Sequence, residues 1–271
     1  SQYKLSDWPE YVAREFMKEH PEVKVEVEIL NWGEGTKKID IAVAAGQAPD
    51  LIYHSRNVMG RWMRRELLEP VDEFMTDEDK QDFYPWALEA ASMNGKILFW
   101  PWLGTANTYI VNKTIFKERG IENLLPKDPE RLWTYEELLQ AAKAATYKRV
   151  DGKQVYGMAI QFSDSTNYYR HPFIWGLGQD IFDKTGTKTN IASPKAIQGL
   201  EILRNFALKE KVMPPGIAGM QSQTIWELIN SGLVAIFEGG NETARTLMLA
   251  EKEGRIKPGT IELYPVAGLI R

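Results

Sequence analysis

"AAGQAPDLIYHS" runs from Ala44 to Ser55, and its reading decides how the rest of the chain is organised. Small residues close a helix, Gly46 and Pro49-Asp50 turn the backbone, and Leu51 to Tyr53 reads as a short buried strand. That strand ends on Tyr53, His54 and Ser55. A turn needs no such polar and aromatic tip, so the tip is a candidate site. Just upstream, Lys37 to Ala45 reads as a helix with Ile39 and Val43 on one face. Before it, "VKVEVEIL" (Val23 to Leu30) alternates apolar and charged residues, as a half-buried strand does. A first helix precedes that, capped by Ser6 or Asp7, with Pro9 in its first turn, Val12 and Phe16 on one face, and His20-Pro21 at its end. Helix, strand, helix, strand predicts an α/β fold with a mostly parallel sheet covered by helices.

Downstream, Arg56 to Arg65 reads as a helix, and Pro70 turns the chain. Lys96 to Trp102 reads as a strand ending in "FWPW", with Pro101 at its edge. Thr105 to Asn112 is extended, and Lys113 to Arg119 is a helix closed by Gly120. Thr134 and Glu137 form a capping box for the helix in "WTYEELLQAAKAAT". "YGMAIQF" is a strand. Ser193 caps, and Pro194 opens, a helix whose inner stripe is Ile197, Leu200 and Leu203. Trp226 to Ile229 lies on a further helix. "GLVAIFEGGN" is a buried strand running into a glycine turn, Glu242 to Glu251 is helical, and Ile261 to Val266 is the last strand.

The composition excludes several functions. The 271 residues carry a net charge of -4 with the signs mixed along the chain, and no basic block offers itself to nucleic acid. With no cysteine there is no disulfide framework and no thiolate chemistry. No apolar stretch reaches the ~18 residues of a membrane span. G-x-S-x-G, H-E-x-x-H and a phosphate loop ending G-K-[ST] are missing. The three histidines, His20, His54 and His171, have no zinc-ligand spacing. No catalytic residue, metal or cofactor is therefore expected. Carboxylates are plentiful, so a glycosidase pair stays open.

Several segments, in order, resemble the extracytoplasmic solute-binding proteins of ABC importers: "IAVAAGQAPDLIYH", "LLEPVDEFM", "YIVNKTIFKERGI", "WTYEELLQAAKAAT", "SPKAIQGLEIL" and "INSGLVAIFEGGN". The branch that binds sugars and oligosaccharides is the most similar. The resemblance implies a two-lobed, type II periplasmic-binding-protein-like fold, with mixed sheets flanked by helices and a cleft between the lobes. It implies a first lobe at 1–104, a first hinge crossover at 105–112, a second lobe at 113–262 and a second crossover at 263–271. Against the family pattern the chain starts at the first helix and stops near Pro265, so it reads as truncated at both ends. The family also often places an aromatic after the glycines where this chain has Asn241. The implied function is capture of a sugar or oligosaccharide by hinge closure and delivery to a membrane permease. The implied protein is a periplasmic or extracellular monomer, membrane-associated, with a lipoprotein anchor on the full-length chain as one mode of attachment.

In an open α/β sheet ligands sit beyond the carboxyl ends of the strands. That rule groups Trp32, then Tyr53, His54 and Ser55, then Trp100 and Trp102, then Glu238, Gly239, Gly240 and Asn241. "STNYYRHPFIWGLG" adds Tyr168, Tyr169, Arg170, His171 and Trp175 from the second lobe. Aromatic planes cover the C–H faces of a sugar, while carboxylates, amides and hydroxyls meet its rim. An Arg170 turned toward the ligand would favour a uronic acid. Each residue also has a plainer reading. Trp8, Trp62, Trp86 and Trp226 suit packing, and His54 suits a hydrogen-bonded structural histidine. Glu238 suits a helix-terminus carboxylate, Arg170 a solvated arginine, and Asn112 a cap. The competing functions are a binding protein for a peptide, polyamine or metal chelate, and a carbohydrate-active enzyme.

Overall fold

The computed structural model describes residues 7–30, 34–102, 104, 107–126, 133–162, 170–183, 188–256 and 260–265. For 57, 107, 222, 241, 242 and 261–265 it describes the backbone alone. Trp32, Tyr168 and Tyr169 lie outside the described residues, as does Ser6. The chain divides into two compact units, Ser1–Leu103 and Gly104–Arg271.

The first unit is helical among its described residues. It contains α1 (Trp8–Glu19), α2 (Gly35–Ala44), α3 (Arg56–Arg64), α4 (Asp77–Asp82) and α5 (Pro85–Ala91), then a two-residue hairpin of β1 (Ser92–Met93) and β2 (Lys96–Ile97). Met59, Trp62 and Met63 of α3 are buried at i, i+3 and i+4, which makes this helix the centre of the unit. The Trp62 indole N–H donates to Asp40 Oδ1 at 2.9 Å and ties α3 to α2. Thr76 and Asp79 form a reciprocal capping box that starts α4.

Three strand expectations fail here. Val23 to Leu30 forms no strand and pairs with no described strand, and Val23, Val27 and Ile29 are exposed. Alternation marks a segment able to join a sheet; a strand also needs a neighbour's backbone. Leu51 to Tyr53 is neither strand nor buried, with Leu51 91% exposed. Of Lys96 to Trp102 only the first two residues are strand. They pair back on Ser92–Met93 through Asn94 and Gly95, both at positive φ. Asn-Gly is a strong hairpin signal, and it shortens the run that the apolar pattern suggests.

The second unit is built on a five-stranded sheet. Its strands are β3 (Asn107–Asn112), β4 (Tyr147–Lys148), β5 (Gln154–Ala159), β6 (Val234–Gly240) and β7 (Ile261–Pro265), in the order β4-β5-β6-β3-β7. The β5–β6 pair is parallel, and the β3–β6, β3–β7 and β4–β5 pairs are antiparallel. The sheet is thus mixed rather than mostly parallel, because β3 runs against both of its neighbours. Among the described residues six helices accompany it: α6 (Lys113–Arg119), α7 (Tyr135–Ala144), α8 (Pro172–Trp175), α9 (Pro194–Leu208), α10 (Ser222–Asn230) and α11 (Asn241–Lys252).

Caps set most of these helices. Asn112 Oδ1 accepts from the N–H groups of Thr114 and Ile115, and Gly120 at φ 66° closes α6. Thr134 and Glu137 form the expected capping box of α7. Ser193 Oγ accepts from the Ala196 N–H at the start of α9. The buried stripe of α9 is Ala196, Gly199, Leu203 and Phe206, so Ile197 faces outward. Glycine sets that rotation: a Cβ on Gly199 would stand 2.2 Å from the Phe173 carbonyl oxygen, so α8 and α9 meet backbone to backbone. Gly157 plays the same part between β5 and α7, where a Cβ would stand 1.8 Å from the Ala142 oxygen. One continuous core runs through this unit, from Ile110 and Phe116 through Leu138, Met158 and Phe173 to Ile236 and Phe237. No described helix is long and apolar enough to cross a membrane.

Candidate functional site

In the first unit the residues before α3 form one group. The Ser55 backbone N–H donates to His54 Nδ1 at 2.8 Å, and His54 Nε2 lies 2.8 Å from Thr36 Oγ1. Because Nδ1 accepts, the ring proton sits on Nε2, which donates to Thr36. The imidazole also stands edge-on to Trp62, 5.8 Å between centroids. Burial, then the nearby Arg61 charge, lower the His54 pKa, while Asp40 raises it less. His54 is therefore a neutral, positioned histidine. It holds the segment from which Tyr53, 57% exposed, projects.

The aromatic tips gather a second group. Trp102 is 53% exposed and lies against Trp8, 5.5 Å between centroids at 33°. Trp8 lies in turn against Tyr11 at 5.7 Å. Trp8 and Tyr11 are i and i+3 on α1 and share one face. Sequence reasoning assigned Trp8 to packing and passed over Tyr11. Their spacing was the available signal, but nothing in it pointed to Trp102. Trp100 stands edge-on to Phe83 at 6.1 Å. Trp62, by contrast, is buried in the core, as the packing reading has it.

In the second unit Arg170 Nη1 donates to the Phe162 carbonyl at 3.2 Å, and the guanidinium lies 5.9 Å from the Phe162 ring centroid. His171 stands edge-on to Trp175 at 5.1 Å, and burial, then Arg170, lower its pKa. Trp175 closes α8 with 46% of its surface exposed.

The β6 tip is more enclosed than a ligand-facing turn. Glu238 is 5% exposed, and neither carboxylate oxygen has a hydrogen-bond partner among the described residues. It sits opposite Tyr109 in the β3–β6 ladder, and the Tyr109 hydroxyl is equally buried and unpartnered. Burial pushes the Glu238 pKa well above the ordinary carboxyl range. Burial, then the Glu238 charge, push the Tyr109 phenol up as well. The low-dielectric surroundings thus favour the neutral form of both groups. Gly239 is required by packing, since a Cβ would meet Thr243 Cγ2 at 2.7 Å. A Cβ on Gly240 would meet nothing within 4 Å, so Gly240 is the open residue of the turn, and α11 begins at Asn241.

The structure thus brings His54 and Ser55 together, Trp102 with Trp8 and Tyr11, and Arg170 with Trp175 through His171. A separate groove of about 510 Å³ lies between α10 and α11, lined by Trp226, Leu247, Ile256, Thr243, Thr246 and Arg255 among others. None of the sequence-predicted site residues lines it. Among the described residues no group of His, Asp and Glu side chains is placed to hold a metal ion.

Comparison with known proteins adds the family. A binding protein of Brucella abortus is 25% identical over 234 residues, which is 86% of this chain and 54% of that protein. The maltotriose-binding protein of Pyrococcus abyssi is 29% identical over 191 residues, 70% of this chain and 38% of that one. Among solved structures, an ABC-transporter solute-binding protein of Thermotoga lettingae bound to α-D-tagatose superposes with a TM-score of 0.78. It is 20% identical, and the match covers 96% of this chain and 64% of that one. The chain therefore has the α/β fold of such proteins, and it spans about half the length of the Brucella relative. The pattern of the bacterial extracellular solute-binding protein family matches residues 2–270. With nearly every residue inside that match, and the fold in agreement, the chain belongs to the bacterial extracellular solute-binding proteins.

Proposed function

We propose that this protein captures a sugar or oligosaccharide for an ABC importer and presents it to the membrane permease. The observation that carries the reading is the set of exposed aromatic faces. Trp102 with Trp8 and Tyr11 supplies them in the first unit, and Trp175 in the second. Large apolar rings left in water beside polar segments suit the C–H faces of a pyranose. The maltotriose-binding relative and the tagatose-bound structure support the same class of ligand. Tyr53, Ser55, Trp100 and the backbone at Gly239-Gly240 are the other proposed contacts, with His54 as the residue that positions its neighbours.

Arg170 already serves Phe162 through its carbonyl and its ring. A neutral sugar is therefore the proposed ligand rather than a uronate. Capture is proposed to proceed by closure of the two units on the solute, with residues 105–112 and 263–271 as crossovers. Binding then shifts the population toward the closed form, and moving it from ~1:99 to ~99:1 takes about 5.5 kcal/mol of differential affinity. The protein is proposed to work as a monomer in the periplasm or outside the cell, without turning its ligand over.

Isothermal titration against neutral mono- and oligosaccharides, their uronates, peptides and polyamines tests the reading. Saturable binding confined to neutral carbohydrate is expected. Binding of another class alone, or release of hydrolysis products, refutes it.

A further inference from the structure

Helix α3 and the residue after it carry four arginines, Arg56, Arg61, Arg64 and Arg65. Positions 56, 60 and 64 follow one another at i, i+4 and i+8 and so form a single row on the helix surface. Gly60 occupies the middle of that row. A Cβ there would stand 2.5 Å from Arg56 Nη1 and 3.9 Å from Arg64 Nη1. Gly60 is buried and Arg56 Nη1 lies where a side chain at residue 60 would stand, so the two guanidinium groups converge over the notch that the missing side chain leaves. Glycine inside a helix is destabilising relative to alanine, so its place here has a local cause.

The charges in the notch are unbalanced. Among the described residues neither Arg56 nor Arg64 has a carboxylate within ion-pair distance. Arg61, which lies between them in sequence, pairs with Asp40 at 3.4 Å. Arg56 Nε donates to the Ala90 carbonyl at 2.5 Å, which anchors that side chain to α5. This bond explains where Arg56 lies and leaves its two terminal nitrogens available. It does nothing for Arg64. Arg56 is also the first residue of α3, where the helix dipole disfavours a cation and favours an anion. Burial first, and the Arg64 charge second, lower the Arg56 pKa. Two planar guanidinium forks facing one notch, with no counter-charge, match the acceptors of a tetrahedral oxyanion.

We propose that Arg56, Gly60 and Arg64 form an oxyanion site on α3 that takes a phosphate or sulfate group. The site is independent of the carbohydrate reading, because it lies within the first unit and uses none of the aromatic faces. Its ligand is either the free inorganic anion or the same group carried on a small organic solute.

The test is thermal unfolding of the whole chain in rising inorganic phosphate, with sodium chloride balancing the ionic strength, repeated with sulfate, a hexose phosphate and the neutral hexose. The wild type is expected to show a saturable rise in Tm with phosphate and none with matched chloride. An equal response to hexose phosphate identifies the free anion as sufficient. A tighter response to hexose phosphate identifies a phosphorylated solute. Gly60→Ala puts a methyl group where Arg56 Nη1 lies, displaces that guanidinium from Arg64 and improves helix propensity, so it is expected to keep its fold by circular dichroism and lose the phosphate response. Arg64→Gln is expected to weaken phosphate at least about tenfold, the scale of one lost charge-assisted contact. A response that survives in both folded variants, or that matched chloride reproduces, overturns the site.

Discussion

Replacing Glu238 by glutamine should stabilise this protein at neutral pH, although it removes a carboxyl group from the middle of a strand. Glu238 is buried opposite Tyr109 with no partner for either oxygen. Its pKa lies well above the ordinary 4.5, and burial is the cause. A carboxyl raised in the folded state binds its proton more tightly there than in the unfolded chain. Folding stability from this group is then greatest below the unfolded value and falls as pH rises toward the folded one. The slope is about 1.4 kcal/mol per pH unit. Stability falls at that slope wherever the unfolded chain has lost this proton and the folded protein still holds it. Glu238→Gln keeps the shape and has nothing to ionise. Urea unfolding of both proteins at pH 5, 6, 7 and 8, followed by tryptophan fluorescence, reads the difference directly and cancels the other titrating groups. The two curves should lie close together at pH 5 and separate by pH 7, with the variant the more stable. A variant that is less stable by the same amount at every pH would refute the reasoning, since Glu238 would then be ionised and satisfied in the folded state.

Five further outcomes are expected. Trp175→Ala should weaken sugar binding by about tenfold in calorimetry, one aromatic face being worth roughly 1–2 kcal/mol, without lowering Tm appreciably. Trp102→Ala should weaken binding by a similar factor, and Trp8→Ala by less, because Trp8 reaches the surface beside Trp102. Thr134→Ala should lower unfolding free energy by about 1 kcal/mol in urea, through loss of the cap at Glu137. Gly199→Ala should cost about 1–3 kcal/mol or more, since its Cβ would meet the backbone of α8 rather than a movable side chain.

What the sequence made legible depended on whether its signals were local. The helices of the second unit start where Asn112, Thr134 and Ser193 place them, because a cap is decided within four residues. β6 was legible as a fully buried apolar run. The first unit was harder. "VKVEVEIL" has the alternation of a strand, but alternation is silent about whether another backbone lies alongside. Leu51 to Tyr53 is apolar and bounded by a turn, yet it is exposed, because three residues carry too little periodicity to tell burial from exposure. In the candidate site, single residues were easier to name than their environments. Glu238 stood out as a carboxylate beside glycines, while its enclosure by Tyr109 depends on a cross-strand register that one strand cannot reveal. Trp8 was read as a packing residue and Tyr11 passed over for the complementary reason: the aromatic cluster they form includes Trp102, more than ninety residues later.

The position of β3 in its sheet bears on how the molecule is made. Thr108 is bonded to Gly239 across a sequence separation of 131 residues, and its other neighbour, β7, comes later still. The earliest strand of this sheet to leave the ribosome therefore waits, with both ladders empty, until nearly the whole length described here has been synthesised. Assembly that depends on such distant partners is slow. A nascent chain stalled before residue 234 should stay open to proteases, and so should one emerging unfolded through a secretion channel.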